Sequence, residues 1–363
     1  MGLLQSIIMT TKLVIVGESW NQQEATLQHP FVGTAGQELF RCLHGAGYPV
    51  PFLPYTFNSP VRMLRMWENS KITLLSVFNE CSPDNNVEFF YTRDPNNTFG
   101  SRRFENKIHY VKPEYESHVK QLHETLKELK PNVIIALGNS ALWALGLPAS
   151  ISKLRGNVTD SPFGKVLPTH SPASVLRNWS QRIVTILDLH KALRESEYPE
   201  IRTLPREIWT RPSIEDLWDW WRLYGSKAEL LAWDIETVLN KQISEISFAS
   251  DSVHALHVPI LYKENKRYIS YWPDAKTELE AWRFIKTALE SDIPKIGQNV
   301  IQYDCYWCLK EMNIAPKNIT HDTMQMAHAW GLELEKSLGF LGSIFCAERS
   351  WKHIRTETNK QND

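Results

Sequence analysis

The sequence contains no run of about 18–20 uninterrupted apolar residues, so it offers no candidate membrane-spanning helix. Its formal net charge is only −1, so no overall positive field indicates a nucleic-acid partner. A local basic groove would nevertheless be enough to bind a nucleic acid. The start of the chain has neither the basic segment nor the small-residue cleavage site of a secretion signal. These absences predict a protein of the cytoplasm that makes no contact with a membrane.

The five cysteines follow no regular frame, which argues against a disulfide scaffold and favours a reducing compartment. Cys305 and Cys308 form a C-x-x-C, but no second pair and no nearby histidine completes a zinc set. We therefore predict buried thiols here rather than a metal or redox site. The sequence also lacks internal repeats and low-complexity tracts, and its 363 residues are enough for two domains with separate cores.

The first half of the chain alternates short apolar runs with amphipathic segments, a pattern that indicates a parallel α/β sheet. Its four strand-like runs are KLVIVG, ITLLSVF, NVIIALG and GKVLPTH. Ligands of such sheets gather at the carboxyl ends of the strands. Three of the runs end in chemically useful pairs, which are Gly17–Glu18, Gly138–Asn139 and Thr169–His170. These pairs are candidates for a ligand site.

A segment rich in proline and charge separates the two halves and is typical of a linker. We predict a first domain over residues 9–195, a linker over 196–212 and a second domain over 213–363. Ser213 is expected to cap the helix that opens the second domain. Four strand-like runs then predict an antiparallel meander, namely ELLAWDIET, QISEISFAS, SVHALHVPI and KRYISYWP.

Two acids lie on the first strand of the second domain. Asp234 and Glu236 are separated by one residue, which places both carboxylates on one face of the strand, about 7 Å apart. Acids so placed repel each other, and a divalent cation would neutralise them. A D-x-E pair is common, however, and two solvated surface acids are the alternative interpretation.

A second motif holds Asn299, Tyr303 and Asp304, at the start of a helix that follows a short strand. With Asp234 and Glu236 it resembles the DEDD exonuclease superfamily, in particular the proofreading domains of family-A DNA polymerases. The resemblance covers most of residues 228–346 and implies an RNase H-like mixed sheet that removes nucleotides from single-stranded 3′ ends of DNA. It also implies two Mg²⁺ or Mn²⁺ ions at the scissile phosphate.

The resemblance implies a separate role for each acid. Asp234 would bridge both ions, Glu236 would help to hold the water-bearing ion, and Asp304 would serve the second ion. Asn299 and Tyr303 would contact the substrate.

The fourth acid of that family has no counterpart in the expected context. Asp322 is better explained as the N-cap of the next helix, and the remaining acids Glu348, Glu357 and Asp363 lie outside any Tyr- or His-led motif. The second domain is therefore expected to be truncated at its C-terminus or to carry an incomplete site.

The first half carries four blocks in order: Gly17–Glu18 followed by Glu24, the segment Pro30–Gly36, NVIIALGNSALWALG, and LRGNV with VLPTHSPASVLRN. These blocks resemble the family 4 uracil-DNA glycosylases and their relatives fused to phage polymerases, over roughly residues 11–193. The resemblance implies a three-layer α/β/α fold with a pocket for an extruded base.

The resemblance assigns roles to five residues. Phe31 would stack on a flipped uracil, and His170 would stabilise charge that develops on its O2 atom. Glu18 or Glu24 would orient a water toward the sugar, and Arg177 would lie against the duplex or its phosphates. Each has a structural alternative, such as a core position for Phe31 or a solvated helix face for Glu24.

This sequence departs from the family at several places. Ser76 occupies the position of the asparagine that reads uracil, and Asn79 would substitute only from a different backbone position. There is no N-terminal C-x-x-C, and Glu80 stands where one ligand of an iron–sulfur cluster is expected, so we predict no such cluster.

The order of the two domains resembles the N-terminal part of phage-type family-A DNA polymerases. The leading hypothesis is a DNA-processing module with proofreading exonuclease activity, whose partners are DNA and a polymerase domain or subunit, in the host cytoplasm if phage-encoded. One alternative is a catalytically silent accessory module that binds DNA. The other is a free-standing uracil-DNA glycosylase.

Overall fold

A computed structural model describes residues 12–92, 103–104, 107–108, 110–148, 150–238, 242–265, 267–331 and 333–346. The predicted start of the first domain at residue 9 and the acids Glu348, Glu357 and Asp363 lie outside these residues. The chain divides into two compact units. Among the described residues, the first holds those up to Arg202 and those from Gly342 to Cys346, and the second extends from Thr203 to Leu341. Within the described ranges, no helix combines the length and the apolar character needed to cross a bilayer.

The first unit contains nine strands and eight α-helices in its described part. The strands are β1 Leu13–Trp20, β2 Thr73–Cys81, β3 Tyr91–Thr92, β4 Arg103–Phe104, β5 Lys107–Ile108, β6 Tyr110–Val111, β7 Val133–Leu137, β8 Thr159–Ser161 and β9 Gly164–Thr169. The helices are α1 Gln22–Leu27, α2 Thr34–Gly45, α3 Pro60–Ser70, α4 Glu116–Leu129, α5 Asn139–Ala144, α6 Ile151–Leu154, α7 Pro172–Arg177 and α8 Gln181–Glu195.

Five of these strands form one sheet in the order β2-β1-β7-β9-β8, parallel except for the β8–β9 hairpin. Side chains alternate along β1, so that Val14 and Val16 pack on one face against α4 and α5, whereas Ile15 packs on the other against α2, α3 and α8. Helices therefore cover both faces, and the predicted three-layer α/β/α fold is confirmed.

The second unit contains one larger sheet, one separate hairpin and helices packed against the sheet. Its strands are β10 Glu207–Trp209, β11 Leu231–Thr237, β12 Ile243–Ala249, β13 His254–Pro259, β14 Leu261–Glu264, β15 Arg267–Ser270, β16 Lys295–Gly297 and β17 Ile319–Asp322. Its helices are α9 Ile214–Leu223, α10 Ala275–Leu289, α11 Asp304–Met312 and α12 Thr323–Trp330, and the last described helix, α13 Leu338–Phe345, spans the division between the units.

The larger sheet has the order β10-β13-β12-β11-β16-β17, with antiparallel pairing from β11 to β13 and parallel pairing elsewhere. Trp233 and Ile235 of β11 point into a core completed by Trp220 of α9 and Phe284 of α10. Asp234 and Glu236 occupy the alternate face, as the period of two requires. The predicted mixed sheet is confirmed.

Several local expectations have clear outcomes. Ser213 forms a capping box with Asp216 at the start of α9, as predicted. The fourth run of the expected meander does not join the larger sheet, since among the described residues β15 pairs with β14 in the separate hairpin. Within the predicted linker, Glu207–Trp209 forms a strand that pairs in parallel with β13 at the sheet edge.

The segment from Gly342 onward groups with the first unit, although the sequence places it in the second domain. The physical link is the buried ammonium of Lys191 on α8. It donates hydrogen bonds to the carbonyls of Gly156, Ser343 and Cys346. Burial lowers the pKa of Lys191 to about 8. Three carbonyl partners stabilise a cation that would otherwise be costly to bury.

Candidate functional site

A cavity of about 630 Å³ opens at the carboxyl ends of β1 and β7 in the first unit. Its wall combines the ends of β1 and β7, the start of α1, the start of α2 and one face of α7. Lining residues include Gly17, Glu18, Asn21, Gln22, Gln23, Glu24, Phe31, Asn85, Leu137, Ser171, Pro172, Leu176 and Arg177. This is the place where parallel sheets bind ligands, and we call it the first-unit cavity.

Glu18 is the acid at the end of β1 in this cavity. The backbone N–H of Ser140 donates a hydrogen bond of 3.2 Å to Glu18 Oε1, and the Tyr91 hydroxyl donates one of 2.8 Å to Ser140 Oγ. Burial raises the pKa of Glu18, against the lowering effects of the Ser140 hydrogen bonds and the Arg177 charge. A fixed carboxyl with a raised pKa is suited to accept a proton from water.

Gly138 makes room for that carboxyl. Its φ is +93°, in the region that favours glycine, and a Cβ atom there would lie 2.6 Å from Glu18 Cδ. The predicted meeting of the Gly17–Glu18 and Gly138–Asn139 strand ends is therefore realised as a close contact. The Thr169–His170 pair lies at the same edge of the sheet, because the N–H of Gly138 donates a hydrogen bond of 3.3 Å to the carbonyl of Thr169.

Phe31 forms one wall of the first-unit cavity. Its backbone is left-handed, with φ +59°, and its carbonyl accepts a 2.7 Å hydrogen bond from the indole of Trp67. The ring lies against Gly17, where a Cβ atom would sit 2.4 Å from Phe31 Cζ. Phe31 is therefore packed in the core and also lines the cavity. The core position considered for it is correct, and its stacking on a base stays a prediction.

Glu24 is buried rather than solvated. Its carboxylate accepts the backbone N–H of Asn21 at 2.8 Å, while the Asn21 side chain accepts the N–H of Glu24 in return. Burial raises the pKa of Glu24. Hydrogen bonds from the backbone N–H groups of Asn21, Phe31, Val32 and Gly33 lower it. These contacts make Glu24 the residue that holds the loop of Phe31. The solvated helix face considered for Glu24 is wrong.

Two residues predicted to read the base do not line the first-unit cavity. Ser76 is buried in β2 beside Gly17, and the backbone N–H of Asn79 donates to His118 Nδ1 at 3.2 Å. The amide side chains that do line the cavity belong to Asn21, Gln22, Gln23 and Asn85. None of these four residues is among the predicted base-binding residues.

His170 and Arg177 lie at opposite ends of α7 and differ in their relation to the cavity. Arg177 is exposed and lines the cavity, whereas Ser171 and Pro172 line it in place of the neighbouring His170. Burial lowers the pKa of His170, against the opposing charge of Asp188. The imidazole is therefore neutral near pH 7. Its predicted contact with the base stays a prediction.

In the second unit, the side chain of Asp304 at the start of α11 contacts β11. Its Oδ1 accepts the backbone N–H of Ile235 at 2.9 Å, so it lies between the positions of Asp234 and Glu236. Burial, together with the charges of Asp234 and Asp322, raises the pKa of Asp304 to about 7, against the lowering effect of the hydrogen bond from Ile235. The predicted convergence of Asp304 with the D-x-E strand is present in the structure.

Tyr303, Asn299 and Asp322 support this acid cluster. The Tyr303 hydroxyl and Thr237 Oγ1 share a 2.6 Å hydrogen bond. Asp322 caps α12 by accepting the N–H groups of Met324 and Gln325, which confirms the N-cap prediction. Asp322 also accepts the N–H of Asn299, whose own side-chain Oδ1 is buried without a hydrogen-bond partner among the described residues.

The predicted pair of Mg²⁺ or Mn²⁺ ions requires oxygen ligands gathered around a point. Carboxylates are the right type of ligand. Nevertheless, in the described ranges no three His, Cys, Asp or Glu side chains come together as a group that could hold a metal ion. The arrangement of Asp234, Glu236 and Asp304 in this structure therefore does not itself fit a pair of ions.

The raised pKa of Asp304 predicts a pH dependence of stability. An unfolded aspartate has a pKa near 3.9, so between about pH 4 and pH 7 the folded carboxyl retains a proton that the unfolded chain has lost. Stability must then fall as pH rises through that window. In EDTA, we expect wild type to lose about 2–4 kcal/mol relative to Asp304→Asn between pH 4 and pH 8. Hydrogen exchange in β11 and α11 measures this, and parallel profiles for the two proteins would contradict it.

Comparison with known proteins identifies the first unit. The family model described as the uracil DNA glycosylase superfamily matches residues 7–194, just over half of the chain. The chain belongs to the uracil-DNA glycosylase superfamily. A type-4 uracil-DNA glycosylase from Thermotoga maritima is 28% identical over 189 residues, which cover 51% of this chain and 77% of the relative.

Solved structures give a much weaker likeness. Two structures of the EXD2 exonuclease domain, soaked in Mg with dGMP or GMP, are 17% and 16% identical to this chain. They cover 43% and 40% of it, and 84% and 71% of their own chains, with TM-scores of 0.26 and 0.23. Likeness at this level implies nothing about activity.

Membership in the uracil-DNA glycosylase superfamily gives the first-unit cavity its significance. The carboxyl of Glu18 and the ring of Phe31 are the predicted catalytic and stacking groups, and both line that cavity. The amide side chains of Asn21, Gln22, Gln23 and Asn85 line the same cavity.

Proposed function

We propose that the first unit removes a base from DNA by hydrolysis of its N-glycosidic bond, with uracil as the first substrate to test. The observation that carries this proposal is the fixed position of Glu18 on the first-unit cavity, which the ring of Phe31 also lines. An extruded base would stack on Phe31. Glu18 would then orient a water toward the sugar C1′ atom and accept its proton.

The atoms of this reaction balance without a cofactor. The water oxygen forms a bond to C1′ as the bond between C1′ and the base nitrogen breaks, and the electron pair of that bond leaves with the base. One proton of the water passes to Glu18 and is returned to the released base. Arg177, exposed at the rim, is suited to contact a backbone phosphate of the bound strand.

The direct test is an excision assay on end-labelled single-stranded DNA with and without one uracil. We expect alkali-labile cleavage only at the uracil, with no metal required. A gel shift without any alkali-labile site would instead favour a silent DNA-binding module. Cytoplasmic location and association with a replication polymerase rest on the sequence pattern and stay predictions.

A second candidate function concerns the acids of the second unit. Asp304 is buried beside β11, and the charges of Asp234 and Asp322 contribute to raising its pKa to about 7. These carboxyls are the observation that favours a test for 3′–5′ exonuclease activity, although their arrangement in this structure does not itself fit a pair of divalent ions. Loss of 3′ nucleotides from uracil-free DNA in Mn²⁺ should vanish in Asp304→Asn and persist in Asp219→Asn, which alters an exposed acid of α9. Equal trimming by both variants would rule this candidate out.

A glycine substitution tests the placement of Glu18 without changing its charge. Gly138→Ala introduces a Cβ atom into the Glu18 carboxyl, and a displacement of about 1 Å at a catalytic group lowers rates by about 100-fold. The matched control is Gly47→Ala, whose φ of +89° imposes a similar strain but whose new Cβ would contact nothing within 4 Å. We expect both variants to lose similar stability in thermal unfolding, while only Gly138→Ala loses excision. Equal activities would contradict the role of Gly138.

A further inference from the structure

Two large aromatic side chains of the first unit are exposed side by side. Tyr55 is 60% exposed and Trp179 is 54% exposed, and their ring centroids lie 6.3 Å apart. Neighbouring aromatic rings that remain in water are a common mark of a binding surface. We call this pair the Tyr55–Trp179 platform.

One arginine packs against each ring of the platform. The guanidinium of Arg41 lies 4.5 Å from the centre of the Tyr55 ring, and that of Arg182 lies 5.1 Å from the centre of the Trp179 ring. These are cation–π distances, which fix the orientation of a ring and leave its other face free to contact a ligand.

One buried acid holds both arginines in place. The fully buried carboxylate of Glu38 accepts hydrogen bonds from Arg41 Nη1 at 3.3 Å and from Arg182 Nε at 2.8 Å. Two guanidinium groups share a single carboxylate, so the support carries a net positive charge. The platform is therefore complementary to a polyanion.

The loop that carries Tyr55 is also fixed by Arg41. Arg41 Nε donates to the carbonyl of Leu53 and Nη2 donates to the carbonyl of Pro54, both at 3.2 Å. A pre-ordered aromatic surface loses little conformational entropy when a ligand binds. This rigidity distinguishes the platform from isolated exposed rings.

Trp179 of the platform lies close to the first-unit cavity along the chain. Arg177 ends α7 and lines the cavity, and Trp179 follows two residues later, at most about 7 Å further along the chain. A strand whose extruded base entered the cavity would place its neighbouring nucleotides within reach of Trp179.

We propose that the Tyr55–Trp179 platform binds single-stranded DNA by stacking one or two unpaired bases that flank the nucleotide in the cavity. Stacking on an aromatic face is tolerant of sequence, because every base has a π-face. The inference rests on the proposed function in that it assumes that the first unit processes DNA. It makes the unpaired strand, rather than a closed duplex, the preferred form of the substrate.

The test measures fluorescence anisotropy of a labelled 20-nucleotide single strand that contains no uracil, with the full chain and its variants. We expect Trp179→Ala to weaken binding by about 5- to 150-fold, as the loss of one stacked base predicts, and Trp179→Phe to restore most of it. Tyr262→Ala, which removes an exposed ring from the second unit, should leave binding unchanged.

The salt dependence separates stacking from charge. Trp179→Ala removes no phosphate contact, so the slope of log affinity against log salt concentration should remain that of wild type. An unchanged affinity in Trp179→Ala and Tyr55→Ala would overturn the proposal, as would equal losses for single-stranded and duplex DNA. Because the probe has no excisable base, weaker binding supports the platform even if excision fails, and unchanged binding defeats it even if excision succeeds.

Discussion

Glu18→Gln is expected to lower the rate of base excision by about 10²- to 10⁴-fold while leaving DNA binding nearly intact. The substitution keeps the size of the side chain and its hydrogen bond with Ser140, but a neutral amide cannot accept a proton from water. Single-turnover cleavage of uracil-containing DNA gives the rate, and anisotropy with the same strand gives the affinity. The matched control is Glu68→Gln, which alters an exposed acid of α3.

The pH dependence gives a second, independent signature of Glu18. Because burial raises its pKa above the ordinary value, the wild-type rate should rise with pH over a range above that value, as the carboxylate form accumulates. This rise should be absent from the residual activity of Glu18→Gln. A variant that stays within about threefold of the wild-type rate and shows the same pH profile would remove Glu18 from the mechanism.

Asp188→Ala is expected to cost the first unit about 3–5 kcal/mol of stability. Asp188 is almost fully buried, and it accepts two hydrogen bonds from Arg155, at 3.0 and 2.6 Å, and one from the Thr169 hydroxyl at 2.7 Å. Removing the carboxylate leaves the charge of the buried guanidinium uncompensated. Hydrogen exchange in peptides from β9 and α8 measures the loss within the first unit, where a two-state treatment of the whole chain would not apply.

The companion experiment replaces both members of the pair by apolar residues. An Arg155→Met, Asp188→Leu double variant should recover most of the stability lost in Asp188→Ala, because exchanging a buried ion pair for packed apolar groups is often neutral or stabilising. Recovery would show that the loss came from the unpaired charge. If the double variant is no more stable than Asp188→Ala, the carboxylate instead acts through its bond to Thr169.

Much of this architecture follows from local patterns. The alternation of apolar runs and amphipathic helices predicts the parallel sheet, because strands buried on both faces must be apolar throughout. The useful residues at the ends of β1, β7 and β9 then converge, because parallel strands share one carboxyl edge. The position of Asp304 is predicted by a motif rather than by a periodicity, and its carboxylate does contact β11.

The remaining features depend on contacts between distant parts of the chain. Glu24 looks like a surface acid on a short helix until the loop of Phe31 folds over it and supplies N–H donors. Ser76 stands where the resemblance expects a base-reading asparagine, yet it is buried in β2 and does not line the cavity. Glu207–Trp209 becomes a strand only because β13 offers an edge to pair with. No local pattern contains this information.

The hydrogen bonds of Lys191 have a consequence for how the protein folds during its synthesis. Two of its three acceptors, the carbonyls of Ser343 and Cys346, are made about 150 residues after the lysine itself. Domains generally fold as they emerge from the ribosome, N-terminal regions first. Until the whole of the second unit has been translated, the Lys191 ammonium therefore lacks two of its three carbonyl acceptors. A ribosome stalled before residue 342 would hold a first unit that opens more readily near α8 than the finished protein.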